Sequence, residues 1–222
     1  MLGSVDSCVL MGLDVRAVHV EADIGRGNDH SFSIVGLATT IVKEARERVR
    51  SAIRNSDLEF PTTKLTVNLA PAELRKEGSG LDLPIAVAIA LARAHAAPPP
   101  KSAFLGELAL GGTVRHVDGV LVAARGLHRL GYERLFVAAE DAPEAALVEG
   151  LDVIPCSSLS AVVNHLTGAE LLDSTPPSHD FYQPAGGIEH DLSEVHGQEE
   201  AKRALEVAAA GGHHLLLSGP PG

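Results

Sequence analysis

The sequence predicts an α/β (α+β) protein with one domain over residues 1–167, a linker over 168–190 and the beginning of a second domain over 191–222. Short segments with the alternation of β-strands are interleaved with segments whose apolar residues recur at helical spacing. Residues 168–190 are rich in Pro, Gly, Ser and Asp, which is typical of linkers. After the linker a helical pattern returns and is followed by a short apolar run and a Gly-Pro turn.

The composition is that of a folded domain with an aliphatic core. The 222 residues are 45% hydrophobic and 21% charged, whereas aromatic residues make up 3% and Trp is absent. The net charge of −11 argues against nucleic-acid binding through the overall field of the protein. Residues 168–222 hold 2 of the 18 basic residues but 9 of the 29 acidic ones, so most of the excess acidity belongs to the tail.

The sequence shows no pattern of a signal peptide or a membrane span, so we expect a cytoplasmic protein without a membrane partner. The number of cysteines allows a disulfide, but Cys8 and Cys156 lack C-x-x-C spacing and are expected to be free thiols. The eleven histidines form neither an H-x-x-x-H nor a Cys/His pattern, so no metal site is expected.

The N-terminal part is predicted to begin with two strands over residues 5–12 and 15–22, joined by a turn at Gly12-Leu13-Asp14. A glycine-containing loop over residues 23–30 then leads to a third short strand over residues 31–35.

A helix is predicted to start at Thr39 or Thr40, either of which can cap it, and to run to about Asn55. Apolar residues at helical spacing form the face expected to be buried, namely Val42, Ala45, Val49, Ala52 and Ile53. Basic residues three or four positions apart share another face, namely Lys43, Arg46, Arg50 and Arg54. With Arg75 and Lys76 of a later loop, this face is a candidate contact for DNA phosphates. The alternative is a solvated face on which Glu44 and Glu47 pair with the arginines.

The middle of the chain is predicted to hold a strand over residues 64–69, a loop over 71–80 and a central helix. Asp82 is expected to accept the first free N–H groups of that helix, with Pro84 in its first turn. Residues 85–94 are apolar nearly all round, which predicts burial, and three prolines at 98–100 are expected to end the helix.

The rest of the first domain is predicted to begin with two strands, over residues 103–108 and 112–117, that meet at Gly111-Gly112. The remaining predicted elements are a helix over 119–130, a strand over 134–138, a short helix from Asp141 or Pro143, a strand over 152–154 and a helix over 158–166.

The tail is predicted to hold a helix over residues 195–210, ended by Gly211 and Gly212, and a buried strand over 213–217. Gly219, Pro220, Pro221 and Gly222 then match the start of a P-loop, which needs G-x-x-x-x-G-K-[ST] so that backbone N–H groups face phosphates. The sequence given stops before the lysine and the hydroxyl residue of that motif. We therefore expect this chain to bind no ATP by itself and to be non-catalytic.

The segment VHGQEEAKRAL followed by GPPG resembles the start of an AAA+ module of the magnesium-chelatase-like (YifB/ComM) family. The segments FSIVGLATTIVKEARERVRSAIRNSDLEFP and KLTVNLAPAELRKEGSGLDLPIA are similar to the N-terminal domain of that family. The resemblance implies the N-terminal portion of a longer ATPase that uses ATP and Mg²⁺, with Val195, His196 and Gln198 bordering the adenine.

The resemblance also implies a hexameric ring motor that acts on branched DNA, as a branch-migration helicase in natural transformation. Two alternatives stay open at this point. One is a protein-remodelling motor of the chelatase type without a nucleic-acid role, and the other is a stand-alone binding or assembly module.

Residues 65–139 further resemble the fold shared by the Lon protease proteolytic domain and the second domain of small-subunit ribosomal protein five. The likeness rests on KEGSGLDLPIAVAIALA and FLGELALGGTVRHVDGVLVAARGLHRLGYERLFVAAE, and it raises a peptidase hypothesis. A Ser–Lys dyad needs a hydroxyl within reach of an amine. Alignment places Gly80 at the serine position and Leu121 at the lysine position, and a shift by one residue brings Ser79 to the serine position without supplying a base. No catalytic residue is therefore expected.

Overall fold

A computed structural model describes residues 1–27, 29–37, 39–76, 78–177 and 191–220, without the side chains of Thr40, Ile41 and Lys43. The chain divides into two compact units, residues 1–179 and 180–222. All strands formed by the described residues belong to the first unit.

The first unit is built on a mixed sheet of seven strands in the order β3-β4-β2-β1-β5-β8-β9, and β6 and β7 form a separate two-stranded sheet. The strands are β1 (Leu2–Met11), β2 (Asp14–Ile24), β3 (Phe32–Val35), β4 (Leu65–Ala70), β5 (Ser102–Phe104), β6 (Glu107–Leu108), β7 (Val114–Arg115), β8 (Arg134–Ala138) and β9 (Asp152–Cys156). In the large sheet β1–β2 and β2–β4 are antiparallel, and the other neighbouring pairs are parallel. The predicted α/β class is confirmed.

The helices of the first unit divide between the two faces of this sheet. In the described residues they are α1 (Thr40–Asn55), α2 (Asp82–Ala94), α3 (Val120–Arg129), α4 (Ala142–Ala145), α5 (Leu159–Thr167) and, in the second unit, α6 (Glu199–Gly211). Apolar side chains of α1, α2 and α5 form one core, and those of α3 and α4 form another. Strand β1 contributes Val5 and Val9 to the first core and Cys8 to the second, because successive strand residues face opposite sides.

Helix α2 lies in the centre of its core, as its composition predicts, and every residue from Asp82 to Ala92 is buried. It packs so closely on β1 that a Cβ atom built on Gly3 would lie 2.3 Å from the Ala88 carbonyl oxygen. The helix ends at Ala94, where His95 adopts a left-handed backbone conformation with φ 52°. The three prolines therefore follow the end of the helix without causing it.

The segment after β5 differs from the predicted strand over residues 103–108. The structure divides it, because β5 joins the large sheet and β6 pairs with β7. Between them the Gly106 N–H group donates to the Gly80 carbonyl (2.9 Å), and the Leu83 N–H group donates to the Gly106 carbonyl (3.0 Å). These bonds lead the chain out of the sheet towards the start of α2.

The connection after α5 is irregular over residues 168–177, where the Thr175 N–H group donates to the carbonyl oxygen of Val153 in β9 (2.8 Å). Helix α5 is capped by Ser158, whose Oγ accepts from the Ala161 N–H group at 3.2 Å. The rest of the predicted linker, residues 178–190, lies outside the described residues.

The second unit differs from the prediction at two places. Helix α6 begins at Glu199, four residues later than expected, because Gly197 and Gln198 both have positive φ (69° and 58°), which a helix cannot include. A short 3₁₀ turn, Leu192–Glu194, precedes it. The predicted buried strand over 213–217 is wrong for the described residues: it is irregular, and Leu216 is 89% exposed. A strand needs a neighbour to satisfy its backbone, and no described residue pairs with this run.

Candidate nucleic-acid interface and neighbouring sites

Helix α1 separates its apolar and basic side chains as predicted. The five predicted core residues are at most 1% exposed, namely Val42, Ala45, Val49, Ala52 and Ile53. Away from the core, Arg46, Arg50 and Arg54 follow one another at intervals of four residues, and we call them the arginine row. Arg46 and Arg54 are exposed and Arg50 is half-buried. Lys43 precedes Arg46 by three residues, but its side chain lies outside the described part of the structure.

An aromatic ring beside the helix holds part of the arginine row in place. The guanidinium carbons of Arg50 and Arg54 lie 5.5 Å and 5.7 Å from the ring centre of Phe60. Phe60 packs against Phe32, with ring centres 5.7 Å apart, and Arg46 Nη1 donates to the Phe32 carbonyl at 3.4 Å. Cation–π contacts of this kind restrict a guanidinium while leaving its N–H groups available to an anion.

Few carboxylates lie close enough to the arginine row to offset its positive charge. Glu47 lies 3.6 Å from Arg50 and is 68% exposed, so this pair is weakly held. Neither Arg46 nor Arg54 has a carboxylate within ion-pair distance among the residues that the structure describes. The predicted alternative, in which Glu44 and Glu47 both neutralise the row, applies to Arg50 alone.

The two basic residues of the loop after β4 lie in different environments. Arg75 is exposed. Lys76 is fully buried, and its ammonium group donates to the Pro71 carbonyl. Burial lowers the pKa of Lys76, an effect that the charge of Glu73 partly opposes. Lys76 cannot reach a phosphate from this position, so its inclusion in the predicted DNA contact was wrong.

Asp82 makes a buried ion pair that the sequence analysis missed. Its carboxylate is 1% exposed and accepts from Arg48 through Nε (2.6 Å) and Nη2 (3.0 Å), and from the Leu108 N–H group (3.4 Å). Burial raises the pKa of Asp82, and the hydrogen bond and charge of Arg48 oppose that rise. Leu81, and not Asp82, precedes the first helical residue, and Asp82 does not cap α2. The signal that could have revealed the pair is an arginine in α1 that belongs to neither the apolar face nor the arginine row.

A cleft of about 390 Å³ includes the position that the Lon-like alignment gives to the serine, and it is lined by residues 8–10, 78–81, 105, 107 and 116–118. A Cβ atom built on Gly80 would lie 2.9 Å from Leu105 Cδ1, so a serine at the aligned position would require the Leu105 side chain to shift. Ser79 lines the cleft, whereas Leu121 is not among its described lining residues.

One wall of the cleft is fixed by a histidine–carboxylate pair. His116 Nδ1 bonds Asp141 Oδ1, and Asp141 Oδ2 accepts from the Val117 N–H group at 3.1 Å. Asp141 is 2% exposed, and its bond and charge, with a smaller effect from Asp118, raise the pKa of His116. Asp141 precedes helix α4, as predicted, but its carboxylate serves this wall and makes no capping bond.

The residues predicted to meet a nucleotide are not assembled into a site by the described part of the second unit. Val195, His196 and Gln198 are exposed and precede α6. Gly219 and Pro220 are exposed and irregular, and Pro221 and Gly222 lie outside the described residues. Residues 213–220 do not show the predicted strand-to-loop arrangement, and the nucleotide contact stays a prediction.

The cysteines, the candidate metal ligands and the helix lengths were also considered in the sequence predictions. Cys8 and Cys156 are free and buried, as predicted. Among the described residues, no group of three or more His, Cys, Asp or Glu side chains is placed to hold a metal ion. No helix in the described ranges has the length and apolar character that crossing a membrane requires.

Comparison with known proteins gives two family matches. The family described as "Subunit ChlI of Mg-chelatase" matches residues 20–141, and the family described as "Magnesium chelatase, subunit ChlI" matches residues 191–222. The first match alone covers more than half of the chain.

Curated relatives align over the whole chain. It is 41% identical to the protein YifB of Escherichia coli (strain K12) over 223 residues and 42% identical to YifB of Salmonella typhimurium over 223 residues. It is 40% identical over 225 residues to the Competence protein ComM of Haemophilus influenzae. These alignments cover 100% of this chain but only 43–44% of each relative, so the chain spans less than half their length. The chain therefore belongs to the magnesium-chelatase ChlI family, as a YifB/ComM-like member.

Proposed function

We propose that this chain is the N-terminal part of a cytoplasmic, ATP-driven ring motor that moves on branched DNA. In this proposal the first unit has a Lon-like fold without a peptidase dyad and contacts DNA through the arginine row. The family matches and the relative named as a competence protein support the general assignment.

The observation that carries the DNA contact is the arginine row itself. The first and last of the three arginines are eight helical steps apart, which is about 12 Å at 1.5 Å per residue. Two of them rest on Phe60, and only Arg50 has an acidic neighbour in the described structure. Arginines ordered in this way meet backbone phosphates without reading bases, which suits a motor that moves over any sequence. Arg75, exposed, is a further candidate contact.

The ATP part of the proposal rests on sequence and on the family match to residues 191–222. Gly219 to Gly222 would begin the phosphate loop, and Val195, His196 and Gln198 would border the adenine. ATP and Mg²⁺ would supply the energy of the motor, and ring assembly would place successive subunits on the DNA.

The test uses the 222-residue chain and a fluorescein-labelled four-way DNA junction, with binding followed by fluorescence anisotropy over a series of salt concentrations. Changing Arg46, Arg50 and Arg54 to Glu should abolish most binding and lower the salt slope by about 0.9 for each lost phosphate contact. The matched control changes three exposed arginines elsewhere to Glu, namely Arg115, Arg125 and Arg129. Circular dichroism checks that both variants are folded.

Equal loss in the two triple variants would show an effect of net charge alone, and unchanged binding in the first would remove the arginine row from the mechanism. The rival function, a protein-remodelling motor without a nucleic-acid role, is favoured by a different feature, the acidic residues of the cleft. A stand-alone binding module would use the same surfaces without ATP.

A further inference from the structure

The large sheet is split beside the cleft. Strand β1 pairs with β2 along its whole length, from Leu2 to Met11. On its other side β1 pairs with β5 through a single residue pair, Asp6 with Ala103. From Cys8 onwards, β2 is the only strand that pairs with β1 in the described part of the chain.

The split leaves backbone groups of β1 without a strand partner. In an antiparallel ladder alternate residues direct their N–H and C=O groups to opposite sides of the strand. Alternate residues between Cys8 and Met11 therefore point their backbone groups away from β2 and into the gap. An unpaired strand edge of this kind is a template for a further strand.

The cleft occupies this gap. Cys8, Val9 and Leu10 line one side, and Gly78 to Leu81 with Leu105 and Glu107 line the other. The gap exists because β5 is only three residues long and the chain then turns at Gly106 towards the start of α2. Its volume of about 390 Å³ lies within the ~300–1,000 Å³ of typical ligand pockets.

The lining combines apolar side chains with carboxylates. Leu10, Leu81, Leu105 and Val117 supply apolar surface, and Glu107 and Asp118 supply negative charge. No lysine or arginine is among the described lining residues, and the imidazole of His116 bonds Asp141 through Nδ1 and lies 3.4 Å from Asp118 Oδ1 through Nε2. The two carboxylates outnumber this single imidazole, so the cleft repels phosphate and attracts a cationic group.

The apolar surface continues beyond the cleft along the β1–β2 turn. Leu10 is 37% exposed, Met11 is 56% exposed and Leu13 is 84% exposed. A ligand that leaves the cleft past Leu10 would therefore meet further apolar side chains. An extended chain with alternating side chains fits this arrangement better than a compact small molecule does.

We propose that the cleft binds an extended polypeptide segment, which adds to the free edge of β1 and carries a Lys or Arg side chain towards Glu107 and Asp118. Main-chain hydrogen bonds to the residues between Cys8 and Met11 supply affinity, and the carboxylates supply the preference for a basic side chain. This surface is distinct from the arginine row and does not depend on DNA binding.

The test measures binding of the peptide Val-Arg-Val-Arg-Val-amide, with carboxyfluorescein on its N-terminal nitrogen, to the 222-residue chain by fluorescence anisotropy. Two matched peptides replace both Arg residues by Glu or carry N-methyl groups on alternate backbone nitrogens. We expect the Glu and N-methyl peptides to bind at least about tenfold more weakly, because one meets like charge and the other lacks main-chain donors. Hydrogen exchange should show new protection between Cys8 and Met11 when the Arg peptide is bound.

Two protein variants test whether the carboxylate of Asp118 attracts the basic peptide. Asp118→Lys should weaken binding of the Arg peptide about fivefold or more, since Asp118 is fully exposed and its change should not affect folding. Glu149→Lys, also exposed but outside the cleft, should leave binding unchanged. Equal affinity for the three peptides, absence of protection in β1, or equal effects of the two variants would overturn the proposal. Such a failure would leave the DNA result of the arginine row untouched.

Discussion

The ion pair between Arg48 and Asp82 allows a quantitative test of how the first unit is held together. Replacing Arg48 by Met keeps the length of the side chain and removes its charge. Among the described residues, Asp82 then keeps the Leu108 N–H group at 3.4 Å as its one partner, in a position that is 1% exposed. We expect the variant to be less stable because a buried carboxylate has lost its counter-charge.

The magnitude follows from the geometry of the pair. Removing one partner of a buried ion pair costs about 3–5 kcal/mol. Arg48 is 25% exposed and Asp82 keeps one weak donor, so we expect a loss near the lower limit, about 3 kcal/mol at pH 7. That is a large fraction of the ~5–15 kcal/mol by which most domains are stable.

The pH dependence distinguishes lost charge pairing from lost packing. Burial already raises the pKa of Asp82 above its unfolded value, and removing Arg48 removes the main opposing influence. A carboxyl group with a raised folded pKa destabilises the protein above that pKa and ceases to do so when it is protonated. The deficit of Arg48→Met should therefore be largest at neutral pH and shrink as the pH falls through the raised pKa of Asp82.

Urea unfolding of the wild type and Arg48→Met between pH 4 and pH 8, followed by circular dichroism, measures this deficit. The double variant Arg48→Met with Asp82→Asn should recover part of the loss at pH 7, because no charge remains buried. Arg125→Met, an exposed change on α3, should stay within about 0.5 kcal/mol of the wild type. A deficit that does not vary with pH would refute the electrostatic explanation.

Two further predictions concern packing and the segment after α5. Gly3→Ala should destabilise the protein by about 1–3 kcal/mol in urea unfolding, because the new Cβ would lie 2.3 Å from the Ala88 carbonyl oxygen. Gly111→Ala is the control and should have little effect, since a Cβ built there meets no described atom of another part of the chain within 4 Å. His165 Nδ1 accepts from the Leu172 N–H group at 2.9 Å, and burial lowers the pKa of this histidine. The stability that this contact provides should therefore be lost as the pH falls below about 6.5 and His165 becomes protonated. NMR amide exchange at Leu172, corrected for intrinsic rates, measures this loss. Unchanged exchange down to pH 5 would contradict the prediction.

Strong local patterns predicted the framework of the first unit well. The apolar run of α2 and the stripe on α1 were both correct, because burial on one face or all faces leaves a direct mark on the sequence. The hairpin of β1 and β2 was also correct, since its strands alternate and meet at a glycine with φ 64°.

Features that depend on tertiary partners were not predictable in this way. Asp82 has the composition of a helix cap, and only the position of Arg48 on another helix turns it into an ion pair. Likewise, the division of residues 103–108 follows from hydrogen bonds to Gly80 and Phe136, which lie far away in sequence.

The sites show the same distinction. The arginine row follows from helical spacing within one segment, whereas the burial of Lys76 depends on how its loop folds back on Pro71. The cleft could not be predicted, since it exists only because β1 and β5 diverge after one residue pair. The strand expected over residues 213–217 has a suitable composition, but composition alone cannot provide the neighbour that a strand needs.

Strand β1 serves both cores, and this limits which changes of chain length the protein tolerates. Val5 and Val9 face one helical layer while Cys8 faces the other. Deleting one residue before Val5 would exchange the two sets, sending Asp6 towards α2 and the valines towards α3. On a strand with one solvated face such an error costs a single layer, but here both layers would be lost together. We therefore expect length variation among related chains to accumulate at the turn around Leu13 and not within β1.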